Sequence, residues 1–317
     1  MKSGWRTLGV FAIVMMACVF MCLSVSSCTQ DEVVLPAEEE VVENSGSPIT
    51  RVLDYTPLYW DDIQLSTGVM LFKKQNESTY VFEVDLSQGK QIKAYFEFAN
   101  GYTNASTTIP YPYFERMFAS QYNLSSYNWI ALINSSFFEL TADPTRSPFF
   151  LKKNGTIVSI GHSSYTNSSL DSPRKYFAVN YSGTNGAAYI GSAQWTSSLN
   201  GTNGGNLTNS VVFNDMTQRF QSYQDVFVGL DPLLNNKGID ASRRRTMVGI
   251  NSQGGNTVYI LVALGETQTE AVDILEDIFS CSDIVMFDGS DSSQFKTINS
   301  NYATASSRDV PVFFAIK

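Results

Sequence analysis

The chain has 317 residues, with 30 acidic residues against 21 basic ones and a formal net charge of −9. A surface of that sign repels nucleic acid and anionic membranes, which sets nucleic acid aside as a partner. Hydrophobic residues make up 43% and aromatics 13%, enough to bury a sizeable core.

Residues 1–27 read as a targeting segment. Lys2 and Arg6 form a basic start, Leu8 to Leu23 is almost wholly apolar, and the small residues SVSS lead to Cys28. The apolar stretch is short for a membrane span, which takes about 20 residues. Small residues followed by Cys28 resemble the lipobox of bacterial lipoproteins, which implies cleavage before Cys28 and lipid (palmitate among its chains) on that cysteine. The alternative is an ordinary signal peptide followed by a chance cysteine. TQDE and the acidic AEEEVVE come next, and residues 28–55 read as a flexible acidic tether. Acidic residues just after such a cysteine resemble the surface-export signal of some Gram-negative lipoproteins. The expectation is an outer-membrane lipoprotein displayed at the cell surface, touching the membrane through its lipid alone. Losing residues 1–27 removes two basic and no acidic residues, so the mature chain is more acidic still.

The remaining residues, 56–317, are read as a single large domain. STYVFEVDL and KQIKAYFEFA alternate aromatic and β-branched residues at near period two, with Ser87–Gly89 as the joining turn. PYFERMFASQY is the first helical stretch, and WIALINSSFF is an apolar run ending in a polar turn. LKKNGTIVSIG carries Asn154–Gly155 at a hairpin position. KYFAVNY and AAYIGSAQW extend the β-rich pattern, and LNGTNGGNLTNS is a long Gly/Asn loop. A helix near DMTQRFQSY precedes DVFVGLDPLLNNKG. RTMVGIN and TVYILVAL then lead through Gly265 to a helical TEAVDILEDIFS, an apolar DIVMF, the turn DGSDSSQF and a last strand, DVPVFFAIK. Many strands with a few interspersed helices predict an α+β fold with mixed β-sheets and a few packed helices.

Chemistry concentrates in residues 245–293. DIVMF ends in Asp288, followed at once by Gly289 and serines, which places a carboxylate at the tip of a buried strand beside a turn whose N–H groups can face an anion. Arg245 offers a forked donor suited to phosphate or carboxylate. Other residues carry less. Cys281 is the sole thiol left in the mature chain, so no internal disulfide forms, and its helical, apolar setting marks a small core side chain. His162, the only histidine, cannot by itself build a zinc site and sits at a hairpin. YTNASTTIPYPYF and Trp195 suit either a sugar-stacking platform or core packing.

In order, the chain carries STGVMLF, YVFEVDLS, INSSFF, NGTIVSIG, VGLDPLLNNKG, RRRTMVGIN, YILVALG, IVMFDGSDSSQF and RDVPVFFAI. This order resembles the phosphodiester glycosidase family over roughly residues 60–317. The best-known member of that family, the uncovering enzyme of the mannose-6-phosphate pathway, removes N-acetylglucosamine from a phosphodiester. An Asn-Gly-Gly-Phe-Phe type motif is matched by Asn134, Phe137 and Phe138, with Ser135 and Ser136 replacing its glycines. Arg-Thr before a strand is matched by Arg245 and Thr246, with Gly249 in place. Asp-Gly-Gly-Gly-Ser-Ser becomes Asp288, Gly289, Ser290, Asp291, Ser292 and Ser293, and Glu266 stands where the family has Arg. Arg308, Val310 and Pro311 match its closing Arg and Val-Pro.

The resemblance implies a surface-tethered hydrolase that cleaves a sugar–phosphate linkage, with a carbohydrate or glycosyl phosphodiester as partner. Asp288 would be base or nucleophile and Arg245 the phosphate clamp, while Asn134, Thr246, Gly289, Ser292, Ser293 and Arg308 would orient substrate. One carboxylate suffices in principle, because a phosphate leaves as a stable anion and needs less protonation than an ordinary aglycone. The replaced glycines add Cβ atoms where positive φ or close approach is required. Asp291 and Glu266 add negative charge where a phosphate would sit. DGSDSS offers hard oxygen ligands for Ca²⁺, with Asp288 and Asp291 as the candidates, but lacks the spacing of a calcium loop. Plainer readings stay open: Asp288 as a strand-end turn residue, Arg243–Arg245 as a solvated cluster, Asn134 as a strand cap. The competing function is a catalytically degenerate lipoprotein that binds glycan at the cell surface without cleaving it.

Overall fold

The chain divides into two compact units, Met1–Arg51 and Val52–Lys317. The structure, a computed structural model, describes residues 59–99, 112–161, 174–193, 218–235 and 238–317, all in the second unit. The targeting segment, the acidic tether, His162, Trp195 and the Gly/Asn loop lie outside the described residues.

Sixteen strands appear among the described residues: β1 (Trp60–Ser66), β2 (Val69–Lys74), β3 (Thr79–Asp85), β4 (Ile92–Tyr95), β5 (Ala131–Asn134), β6 (Phe150–Lys153), β7 (Thr156–Ile160), β8 (Arg174–Ser182), β9 (Asn185–Ser192), β10 (Asp225–Leu230), β11 (Arg243–Ile250), β12 (Thr257–Glu266), β13 (Asp283–Met286), β14 (Phe295–Thr297), β15 (Ala303–Thr304) and β16 (Phe313–Ile316). The one complete α-helix among the described residues, α1, spans Gln268–Asp273 and continues as a π turn over Ile274–Ile278. The larger sheet runs β1-β2-β3-β12-β11-β13-β10-β6-β7, with β8 on the second edge of β10 and β9 beyond it; the smaller runs β15-β14-β5-β16-β4. Every ladder is antiparallel. The expected α+β fold with mixed sheets and several packed helices is therefore corrected to a mostly β fold of two antiparallel sheets.

Two segments differ from the sequence expectation, the first of them a helix that is not formed. PYFERMFASQY is extended rather than helical: the Phe114 N–H donates to Thr145 and the Met117 N–H to Val310, with only Ala119–Gln121 forming a 3₁₀ turn. Its backbone donors go to distant segments through isolated bridges, which a helix does not allow. The Ser87–Gly89 turn joins no hairpin. It carries the chain from β3 in the larger sheet to β4 in the smaller. Asn154–Gly155 does form the hairpin between β6 and β7, with φ of 48° and 81° at the two residues.

The sheets pack face to face, and period-two alternation sorts their side chains. From β12, Val258, Ile260 and Val262 join Phe287, Phe295, Phe314 and Ile133 in the core between the sheets. Leu261 and Ala263 point the other way, under Ala271 and Leu275 of the helical segment and Cys281 just after it. Cys281 is thus a core side chain, packed so closely on β11 that a Cβ at Gly249 would fall 2.6 Å from its sulfur. Leu132, Phe313 and Ala315 face outward from the smaller sheet under Tyr122, Trp129 and Phe138. A strand covered on both faces reads as one apolar run, as TVYILVAL does.

Candidate functional site

The site forms where the chain leaves one sheet for the other. β13 holds its ladder to β11 as far as Met286. The Phe287 N–H then donates to Thr246 of the larger sheet at 2.8 Å, and the Asp288 N–H to the Ser135 carbonyl, just past β5 of the smaller, at 3.0 Å. Asp288 therefore sits at the crossover, half-buried, and the 3₁₀ turn Ser290–Ser292 follows it. Gly289 is needed for close approach, since a Cβ there would lie 2.7 Å from the Arg244 carbonyl oxygen. Ser290 adopts φ of 52°, a left-handed conformation that disfavours residues with a Cβ.

Beneath the turn lies a connected polar network. Asn134 Nδ2 donates to the Asp288 carbonyl at 2.7 Å, and its Oδ1 accepts from Thr246 Oγ1 at 2.9 Å and from the Gln294 N–H at 3.1 Å. Thr246 and Ser293 share a hydroxyl hydrogen bond of 3.1 Å. Asn134, Thr246, Ser292, Ser293 and Gln294 are all buried, so the network fixes its members in place. Ser135 Oγ is buried and has no hydrogen-bond partner among the described residues.

Loss of hydration raises the Asp288 pKa from the ordinary aspartate value to about 7. The Ser292 hydroxyl, the nearby Arg308 guanidinium and the Gly289 N–H pull it back part of the way. Arg308 Nη1 lies 3.4 Å from Ser292 Oγ, and Nη2 lies 3.3 Å from Asp291 Oδ2. A carboxylate poised near neutrality, beside a cation and hydroxyl donors, can exchange a proton while an anion is held.

The structure brings Asn134, Thr246, Asp288, Gly289, Ser292, Ser293 and Arg308 together. Arg245 is turned elsewhere. Thr246 shares the inter-sheet face with Val248, so its neighbour Arg245 falls on the opposite face, buried, with Nη2 donating to the Gly238 and Ala241 carbonyls. Burial, and then Arg243, lowers its pKa. The arginine of this strand that reaches the site is Arg244, whose Nη1 donates to the Ala305 carbonyl at 2.8 Å and approaches that of Ser293 at 3.4 Å. It was not singled out from sequence, although Thr246 and period two imply it. Glu266 is also engaged elsewhere, accepting from Thr79 at 2.9 Å and Lys74 at 3.2 Å.

Calcium needs about six to eight oxygen ligands. Here Asp288 and Asp291 flank a guanidinium, and among the described residues no three His, Cys, Asp or Glu side chains gather to hold a metal ion. The residues do not fit Ca²⁺, and no step is routed through it.

No family model matches the chain, and no curated protein matches its sequence. Among solved structures, the chain is similar to the catalytic domain of zebrafish N-acetylglucosamine-1-phosphodiester alpha-N-acetylglucosaminidase auto-inhibited by its pro-peptide, with a TM-score of 0.50 and 11% identity over 81% of each chain. A hypothetical protein from Synechocystis aligns with a TM-score of 0.46 and 9% identity, over 83% of this chain and 64% of the other. A Burkholderia pseudomallei K96243 protein described as exported aligns at 0.46 and 12%, over 78% and 74%. No helix among the described residues is long and apolar enough to cross a membrane. At 11% identity the relationship to the zebrafish domain is one of fold, and at that level the resemblance read from the nine sequence segments holds.

Proposed function

We propose that this chain is a glycoside hydrolase that cleaves a sugar–phosphate linkage, with Asp288 as its catalytic carboxylate. The observation that carries this reading is the crossover itself: a desolvated carboxylate with a pKa of about 7, beside Arg308 and the Ser292 hydroxyl, on a rigid network anchored by Asn134 and Thr246. Ionised Asp288 takes a proton from the attacking water as the anomeric C–O bond breaks, and the bonding electron pair leaves with the phosphate oxygen. Arg308 offsets the charge on the phosphate, the role that sequence alone assigned to Arg245, while Ser292 and Ser293 orient it. The likeness of fold to a phosphodiester glycosidase domain supports the same reaction class. In the same proposal, Cys28 carries the lipid that tethers the domain to the outer membrane, facing outward.

The test is sugar release from an aryl or UDP-linked N-acetylglucosamine phosphodiester by the mature chain produced without its lipid. Wild type is expected to release sugar, with Asp288→Asn slower by at least about 10²-fold. Absence of release, with glycan binding that survives Asp288→Asn, would replace the hydrolase with the surface glycan-binding reading.

A further inference from the structure

We infer that Asp291 is a built-in counter-anion occupying the anion subsite of this centre, so that an anionic substrate group reaches Arg308 only by displacing it. The ligand class of that subsite is phosphate or a similar oxyanion. The side chain of Asp291 is 61% exposed, yet its Oδ2 is turned to Arg308 Nη2 at 3.3 Å rather than out to water. The opposite arm of the guanidinium is 3.4 Å from Ser292 Oγ, on the buried side that leads to Asp288. Arg308 thus has one arm on Ser292, whose hydroxyl hydrogen-bonds the Asp288 carboxylate, and the other on the exposed Asp291. Ser306 pins the two together: its hydroxyl donates to the Asp291 carbonyl and accepts the Arg308 N–H at 3.0 Å. The Asp291 backbone is held beside Arg308, while its largely exposed side chain has room to swing out.

Solvent-exposed ion pairs of this kind are weak and screened by salt, so the contact is a displaceable one. A phosphate offers two oxygens to the arginine fork where Asp291 engages one nitrogen, and therefore competes well. The consequence is charge selectivity: Asp291 weakens the grip on every anion, while a neutral substrate has nothing to displace. This inference rests on the proposed reading for its substrate, whereas the subsite is defined by Arg308, Ser292 and Asp291 alone.

Inorganic phosphate is the probe, titrated calorimetrically into the mature chain, Asp291→Asn, Arg308→Gln and the double variant. Asp291→Asn should bind phosphate about fivefold more tightly than wild type, the worth of one exposed pair. Arg308→Gln should lose binding in both backgrounds, with Arg308→Lys restoring part of it to exclude misfolding as the cause. Equal affinity in wild type and Asp291→Asn, or a gain that persists without Arg308, overturns the inference. Sugar release, measured in parallel, judges the hydrolase reading separately: its absence with the phosphate shift intact leaves this subsite standing.

Discussion

Asp288 concentrates the conflict between stability and chemistry at the level of a single residue. Burial keeps its proton on up to about pH 7, whereas in the unfolded chain the proton leaves near pH 4. Between those values the folded state binds more protons than the unfolded one, so stability falls as pH rises and levels off above about 7. Asp288→Asn is therefore expected to melt higher than wild type above that pH, with the margin vanishing near pH 4. Thermal melts at stepped pH check this, and identical profiles would show that the carboxylate carries no burial strain. The candidate itself was legible in sequence, because DIVMF leads directly into a carboxylate followed by the turn residues Gly289 and Ser290. Arg308 was a candidate through the family resemblance alone, and since it lies twenty positions on in the chain, only the fold places it beside Asp288.

Strand β11 shows at the scale of one element how adjacent residues part company. Arg244 and Thr246 face the smaller sheet and Arg245 faces away, because each step along a strand reverses the side chain. The motif-based choice of Arg245 fixed on a sequence neighbour of Thr246 where geometry favours the residue two positions earlier. Segment 112–122 failed differently: its mixture of aromatic and charged residues fits a helix locally, but long-range backbone pairing to Thr145 and Val310 overrides propensity. α1 was read correctly, and its start is legible in detail. Thr267 Oγ1 accepts the Glu270 N–H at 3.1 Å while the Glu270 carboxylate accepts the Thr267 N–H at 2.8 Å, a reciprocal cap that lowers the Glu270 pKa. Thr267→Ala should cost about 1 kcal/mol in chemical denaturation. The Glu270 part of that cap is fully present above the ordinary glutamate range and is lost as pH falls below it through the lowered folded value. An unchanged midpoint in Thr267→Ala would mean that packing under α1, not capping, holds this helix.

Across the whole molecule, the site depends on how the two sheets are held together. Phe314 sits at the centre of the inter-sheet core, with ring centroids 4.6 Å from Phe227 and 5.0 Å from Phe287, and Phe287 is the residue before Asp288. The packing that joins the sheets therefore also supports the crossover. Phe314→Ala should destabilise by about 3–5 kcal/mol, with Phe314→Leu costing much less, as read by urea unfolding. A small effect from Phe314→Ala would show that the sheets collapse around the vacancy and that the crossover does not rely on this ring. A second link lies at the buried Asp225, whose Oδ2 is 3.0 Å from Lys93 Nζ and which ties β10 of the larger sheet to β4 of the smaller. Nothing in the sequence paired those two residues.

Legible along the chain are the acidic surface, the strand-rich pattern, the Asn154–Gly155 hairpin, the core role of Cys281 and Asp288 at a strand end, while Asn134, Thr246, Ser292 and Arg308 became candidates through the family resemblance. All but the resemblance-based candidates follow from composition, turn chemistry or short-range order, quantities that neighbours along the chain can express. The tertiary structure settles that every ladder among the described residues is antiparallel, that β3 and β4 belong to different sheets, that Arg308 rather than Arg245 lies near Asp288, and that Asp291 lies against Arg308. The physical reason is long range: each depends on which distant segments the fold brings together, and within the strands a side-chain period of two turns each choice of register into a choice of face.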